Sequence, residues 1–267
     1  MSAPAALVQQ DEALLTIRDG APFEIINPYG DSRIVLICEH ASSQVPERLD
    51  NLGLPEDQLS SHIGWDPGAR DLATGLSSAL NAPLVAARFS RLIYDCNRPP
   101  DAPSAMPHRT EVCDVPGNEH ITEAERLARA EEIYHPFHQA ASDVLRFKRD
   151  NGIDPVVVTV HSFTPVFNGK QRSVDIGYLH AEDDRLSTAL QYHSTYCTRY
   201  NVQLNQPYAP VDGVLHTIEK HLESGAFPYV MIEVRNDLLA DTETHADILS
   251  LLSECIPKAV SSLDDHP

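Results

Sequence analysis

Apolar residues in this chain gather into short, uninterrupted runs rather than alternating ones. Ile34-Val-Leu-Ile37 stops abruptly at Cys38-Glu39-His40. Pro155-Val-Val-Val-Thr-Val-His161 repeats the layout with valines, and Pro228-Tyr-Val-Met-Ile-Glu233 ends on a glutamate. Runs of this length, rich in β-branched residues and bounded by proline or polar residues, predict strands buried on both faces. The charged tips then fall where the chain leaves the sheet, and in open α/β sheets ligands bind at that carboxyl edge.

Between these runs the pattern turns helical. Asp66-Pro67 predicts an N-cap and first helical position for a helix to about Asn81, with Ala69, Leu72, Ala73 and Leu76 on one face. Thr122-Glu-Ala-Glu125 is a capping box opening a helix towards Asp150, which Pro136 should kink or divide. Further helices are expected over 184–200, around His216 and His221, and over 242–263. Additional strands are expected at 84–87, 173–180 and 202–204, with an edge segment at 23–29. Alternating strands and helices predict a three-layer α/β/α sandwich. Residues 1–22 read as a flexible lead-in and 23–267 as a single domain. The proline-rich stretch from Pro99 to Gly117 is long enough to predict a lid or binding loop.

Charge narrows the partners. With 20 basic and 39 acidic residues the net charge is −19, which disfavours nucleic acid and anionic membrane surfaces. An anionic small substrate then requires arginines concentrated at the site, and Arg88, Arg91, Arg98 and Arg235 lie in the motif-bearing segments. The 5 cysteines include no C-x-x-C pair, pointing to a reducing compartment rather than a disulfide framework. Cys38 beside His40 reads as a small core hydrophobe. The N-terminus carries no secretion signal and no apolar run reaches the ~18 residues of a membrane span, so the expectation is a soluble, cytoplasmic protein.

The strand tips suggest metal chemistry. A catalytic zinc takes three protein ligands of His and Asp/Glu type and leaves a position for water. His40, Asp66 and His161 are candidate ligands, and Glu233 is the candidate proton shuttle. Glu39 competes with Asp66, although adjacent residues of a strand point to opposite faces. Asp66 by itself reads as a helix cap. His135 and His138 have the spacing of a helical metal pair but read as a solvated face, and His216 or His221 could each contact substrate. No G-x-S-x-G, P-loop or G-x-G-x-x-G occurs.

With these residues in view the chain resembles the N-formylglutamate amidohydrolase family. The resemblance rests on Cys38-Glu-His-Ala41, Gly64-Trp-Asp-Pro-Gly-Ala69, Ser90-Arg-Leu-Ile-Tyr-Asp-Cys-Asn-Arg-Pro99, Pro116-Gly-Asn118, His161-Ser-Phe-Thr-Pro165 and Ile232-Glu-Val-Arg-Asn-Asp-Leu238. It implies a phosphorylase/hydrolase-like fold with a mixed central sheet, and hydrolysis of an N-formyl or other N-acyl amide of an acidic amino acid. It also implies a divalent metal, Zn2+ above others, held by His40, Asp66 and His161, with Glu233 as catalytic residue. Arg91, Asn97, Arg98 and Arg235 become candidates for gripping substrate carboxylates, guanidinium offering a planar fork to that group. The H-x-x-E signature of zinc carboxypeptidases is absent, because Ser43 stands three residues after His40. A zinc peptidase or cell-wall-type amidase and a non-catalytic small-ligand-binding relative are the alternatives.

Overall fold

The structure, a computed structural model, describes residues 13–222 and 227–264; residues 1–12 of the expected lead-in lie outside the described residues. Nine strands are described: β1 (Phe23–Ile26), β2 (Ile34–Cys38), β3 (Leu84–Ala87), β4 (Val156–Phe163), β5 (Val166–Phe167), β6 (Lys170–Gln171), β7 (Ile176–Leu179), β8 (Val202–Leu204) and β9 (Tyr229–Arg235). The helices are α1 (Glu56–Leu59), α2 (Ala69–Ala79), α3 (Glu123–Arg129), α4 (His135–Asp150), α5 (Arg185–Thr195), α6 (His216–Leu222), α7 (Asn236–Ala240) and α8 (Thr242–Asp264).

Seven strands form one mixed sheet in the order β1-β3-β2-β4-β9-β7-β8, while β5 and β6 make a separate hairpin. The three charged-tipped runs β2, β4 and β9 are adjacent and parallel at its centre. β1 and β7 run antiparallel to their neighbours β3 and β9. The valine run of β4 is buried throughout; at ~1.5–3 kcal/mol per fully buried aliphatic side chain it outweighs the cost of ordering a short strand.

Side-chain alternation divides the core into two layers. Val35, Ile37, Val157 and Met231 face α4 and α6, packing with Phe137, Ala141, Leu145 and Ile218. Leu36, Val158, Val160 and Ile232 face α2, α5 and α8, packing with Leu72, Leu76, Leu190 and Leu252. The result is the expected three-layer α/β/α arrangement.

Two local departures matter for the site. Helix α2 begins later than Asp66-Pro67 predicts, with Gly68 as its cap at φ 82°. The Asp66 carboxylate is thereby released from capping and turns towards β4, where it accepts from the Ser162 N–H at 3.3 Å. Pro136 does divide its helix: a π turn over Ala130–Tyr134 lies between α3 and α4, with the His135 N–H reaching back to the Ala130 carbonyl. A proline cannot donate in the helical ladder, and the widened turn absorbs the missing bond.

Gly68 is required twice over. Its φ is left-handed, and a Cβ there would lie 2.4 Å from Leu239 Cβ. Gly68→Ala is therefore expected to cost about 2–4 kcal/mol, from the left-handed backbone and the overpacking together. Urea unfolding of the two proteins measures this directly.

Candidate active site

Parity and register bring the strand tips together. His161 is the cross-strand partner of Glu233, and Ile37 pairs with Thr159, so the chain just past Cys38 reaches the level of His161. Continuing the alternation, Glu39, His161 and Glu233 share the α4/α6 face. His40 follows after the strand has ended, and its carbonyl accepts from the Asp66 N–H at 2.9 Å. Glu39 and His40 thus serve one centre although strict strand geometry would send them to opposite faces.

The centre is built on Asp66. Its Oδ2 lies 3.2 Å from His40 Nδ1 and 2.8 Å from His161 Nδ1. Behind the imidazoles stand two more carboxylates. His40 Nε2 donates to Asp95 Oδ1 at 2.7 Å, and His161 Nε2 faces Glu39 Oε2 at 3.1 Å. Arg91 bridges the front, with Nη1 3.3 Å from Asp66 Oδ1 and Nη2 2.7 Å from Asp95 Oδ2. All of Glu39, His40, Asp66, Asp95, His161 and Glu233 are buried.

Among the described residues, these four buried carboxylates against the Arg91 guanidinium would leave three negative charges if all four were ionised and both imidazoles neutral. Such an excess in a poorly solvated site demands cations. Burial disfavours charged imidazolium, yet the carboxylates win: Asp95 and Asp66 raise His40, and Glu39 and Asp66 hold His161 well above its ordinary value. Burial likewise works to raise Glu39, but the His161 imidazole outweighs it and holds the carboxyl at about 2. Glu233 lacks so close a partner, and burial lifts it to about 7. That is the range suited to taking and returning a proton.

The residues fit a divalent cation. One ligand atom from each of His40, Asp66 and His161 can be chosen so that all lie within 4.8 Å of one another. A tetrahedron with bonds of about 2.0–2.1 Å has edges of about 3.3 Å, close to the separations observed between imidazole nitrogens and Asp66. Glu233 Oε2 is buried without a hydrogen bond, and an unpaired buried polar atom beside this centre is what a bound ion or its water accounts for.

A cavity of about 250 Å³ opens onto this centre, with Asp66, Arg91, Asp95 and Ser162 on its floor. The stretch after Pro99, expected as a lid or binding loop, supplies Ser104, Pro107 and Arg109 to its wall. Arg98 also lines it, its Nη1 held by the Asn97 and Gly213 carbonyls at 2.9 and 2.7 Å.

Two other substrate-binding candidates lie elsewhere. The Asn97 amide is spent on backbone, donating to the Val214 carbonyl and accepting from the Thr217 N–H. Arg235 pairs with Asp175 and Asp237, each at 2.8 Å. His216 bonds the Tyr134 hydroxyl and His221 bonds His138, and neither lines the cavity. Cys38 is fully buried, and burial holds its thiol protonated.

His135 is exposed, as a solvated face requires, but His138 corrects that reading. It is 2% exposed, and its Nε2 donates to the Cys96 carbonyl at 2.8 Å. A carbonyl only accepts, so in the neutral ring Nδ1 must accept from His221 Nε2 at 3.1 Å. His221 Nδ1 in turn accepts from Ser142 Oγ at 3.3 Å. This chain pins the backbone beside Asp95 to α4 and α6. Asp95 itself escaped the sequence reading, because Leu92-Ile-Tyr94 before it forms a turn and not a strand.

An α/β/α sandwich with a buried His-Asp-His centre at its carboxyl edge has the layout of a hydrolase able to hold a metal. A family model described as N-formylglutamate amidohydrolase matches residues 32–240, and the chain belongs to that family. Among solved structures, a gene product of Agrobacterium tumefaciens is 45% identical with TM-score 0.91, over 94% of this chain and 99% of that one. The N-formylglutamate amidohydrolase of Ralstonia eutropha JMP134 is 18% identical with TM-score 0.66, over 90% and 98%, a likeness of fold. No curated protein matches the chain.

The histidine chain makes a pH prediction. Burial lowers His138 to about 3 and His221 to about 4, against about 6.5 unfolded. Below pH ~6.5 the unfolded chain binds protons the native state refuses, so this pair's contribution to stability falls as pH drops towards 4. Wild type should lose ground to His221→Gln by about 1 kcal/mol per pH unit over that window, read from urea midpoints at pH 7, 6 and 5. Parallel curves would mean that the imidazole takes up its proton in the native state as readily as in the unfolded one.

Proposed function

We propose that this protein is a metal-dependent amidohydrolase that cleaves the N-formyl or other N-acyl amide of an acidic amino acid, N-formylglutamate being the type substrate. The observation that carries this reading is the convergence of His40 Nδ1 and His161 Nδ1 on Asp66 Oδ2, with Asp95 and Glu39 behind the two rings. Carboxylates behind metal-binding imidazoles orient the rings and raise their basicity.

His40, Asp66 and His161 are the residues that hold the cation, and Asp95 and Glu39 support them. A cation there, zinc by the His and carboxylate donor set, would supply a Lewis acid for the amide carbonyl and bring the pKa of water down into the neutral range. Glu233 removes the proton from the attacking water and returns it to the leaving nitrogen, completing formate or another acid plus a free amino acid. Arg91, fixed by Asp66 and Asp95, keeps a positive charge beside the reacting carbonyl as negative charge develops there. Arg98 draws an anionic substrate into an otherwise acidic molecule.

The cavity favours a small substrate over the peptidase alternative. About 250 Å³ falls below the ~300–1,000 Å³ usual for drug-sized ligands and suits one acylated amino acid better than a peptide chain.

Two measurements test the reading. In protein purified without chelator, His40→Ala and His161→Ala should each empty the site of metal by elemental analysis; full metal in both variants would show the ligand assignment to be wrong. Glu233→Gln should keep its metal but lose turnover by about 10²–10⁴-fold in a screen of N-formyl, N-acetyl and N-succinyl amino acids. Near-normal kcat in that variant would remove Glu233 from the mechanism.

A further inference from the structure

Arg172 is an arginine without a carboxylate. Its guanidinium carbon sits 4.7 Å from the ring centres of Phe167 and Tyr208 and 5.5 Å from that of Phe163. Nη1 donates to the Tyr208 oxygen at 3.1 Å and to the Thr164 carbonyl at 3.4 Å. Among the described residues no acidic group pairs with it, and its Nε and Nη2 hydrogens meet no acceptor. In a chain with 39 acidic and 20 basic residues, this guanidinium is held by aromatic rings and two oxygens that are not carboxylates.

Its position gives it a use. The four residues that hold it, Phe163, Thr164, Phe167 and Tyr208, all line the cavity in front of the Asp66 centre. Tyr208 is also within electrostatic reach of Glu233 and Arg91. Arg172 is delivered there by the β5–β6 hairpin, which turns on Asn168 and Gly169, both with φ above zero. Such an Asn-Gly pair suits the tight turn that matches strand twist. The hairpin and the 205–213 loop therefore meet at one hydrogen bond, Arg172 Nη1 to Tyr208.

Because the phenol oxygen already accepts from a guanidinium, its own hydrogen is the group left to bind a ligand, and a cationic partner makes it a stronger donor. Phenol and guanidinium together offer donors only. The matching ligand is acceptor-only, which describes a carboxylate and excludes an amide side chain as an equal partner. Resting on the hydrolase reading above, we propose that Tyr208 binds the side-chain carboxylate of the substrate, that Arg172 positions and polarises it, and that this pair sets the preference for acidic amino acids. Tyr208 is the contact residue; Arg172 acts through it.

The test is calorimetry on the metal-loaded protein with L-glutamate and L-glutamine as probes, beside turnover of N-formyl-L-glutamate. Wild type should bind glutamate more tightly than glutamine. Tyr208→Phe and Arg172→Gln should each weaken glutamate by about tenfold and leave glutamine little changed, with KM raised in proportion and kcat nearly kept. Arg172→Lys should recover part of the discrimination, since charge remains while the planar stack is lost. A merely structural role would weaken both probes alike. That result, unchanged glutamate affinity in Tyr208→Phe, or lost kcat with glutamate affinity intact would each overturn the proposal. Tyr208→Phe keeps the aromatic cage, so it decides the matter even if Arg172→Gln fails to fold. A wild type that binds glutamate selectively but hydrolyses no N-acyl amino acid would sink the hydrolase reading and leave this pair standing.

Discussion

The surplus of buried negative charge at the carboxyl edge of the sheet is the constraint around which the other features are arranged. Glu39, Asp66, Asp95 and Glu233 are all out of water, with Arg91 the guanidinium paired to Asp66 and Asp95. A fold dominated by apolar burial tolerates this only where compensating cations are held as firmly as the carboxylates themselves. Each carboxylate is accordingly tied to a different element: Glu39 to the end of β2, Asp66 to the entry of α2, Asp95 to the turn after β3, and Glu233 to β9. No single loop movement can disperse them. The His138–His221–Ser142 chain and the Asn97 amide then lock the least regular of these segments, the turn bearing Asp95, onto α4 and α6.

Much of this was legible in the sequence, and the reasons are local. The runs ending at Glu39-His40, His161 and Glu233 announced three central strands, because valine and isoleucine bounded by proline and charge leave few other structures open. Their common edge followed from the parallel arrangement that alternating helices impose. Asp66 was harder, since Asp-Pro reads as a helix start; only the left-handed Gly68 behind it frees the carboxylate for another use. Asp95 was hidden because the apolar residues before it make a turn, so no strand tip marked it. His138 sits in a helix whose composition is strongly charged, and its burial depends on a partner 83 residues away. The signal for Arg172 was present in Asn168-Gly169 between two short apolar-polar stretches, a hairpin mark that leads straight to it.

The arginines separate by what they touch. Arg91 and Arg98 face the cavity, whereas Arg235, equally prominent in its motif, is absorbed by Asp175 and Asp237. A motif position shows that a residue type is wanted; which partner satisfies it depends on contacts made far along the chain.

The cavity walls come from a different source than its floor. The floor residues project from β4, the entry of α2 and the turn after β3, whereas Pro107, Arg109, Phe167 and Tyr208 hang from the 99–117, 164–172 and 205–213 segments. Loops of this kind can be lengthened, trimmed or exchanged without moving the electrostatic heart of the molecule. Under the function proposed above, the architecture separates two evolvable properties: reaction type rests on the buried centre at the sheet edge, and choice of amino acid on three exchangeable wall segments.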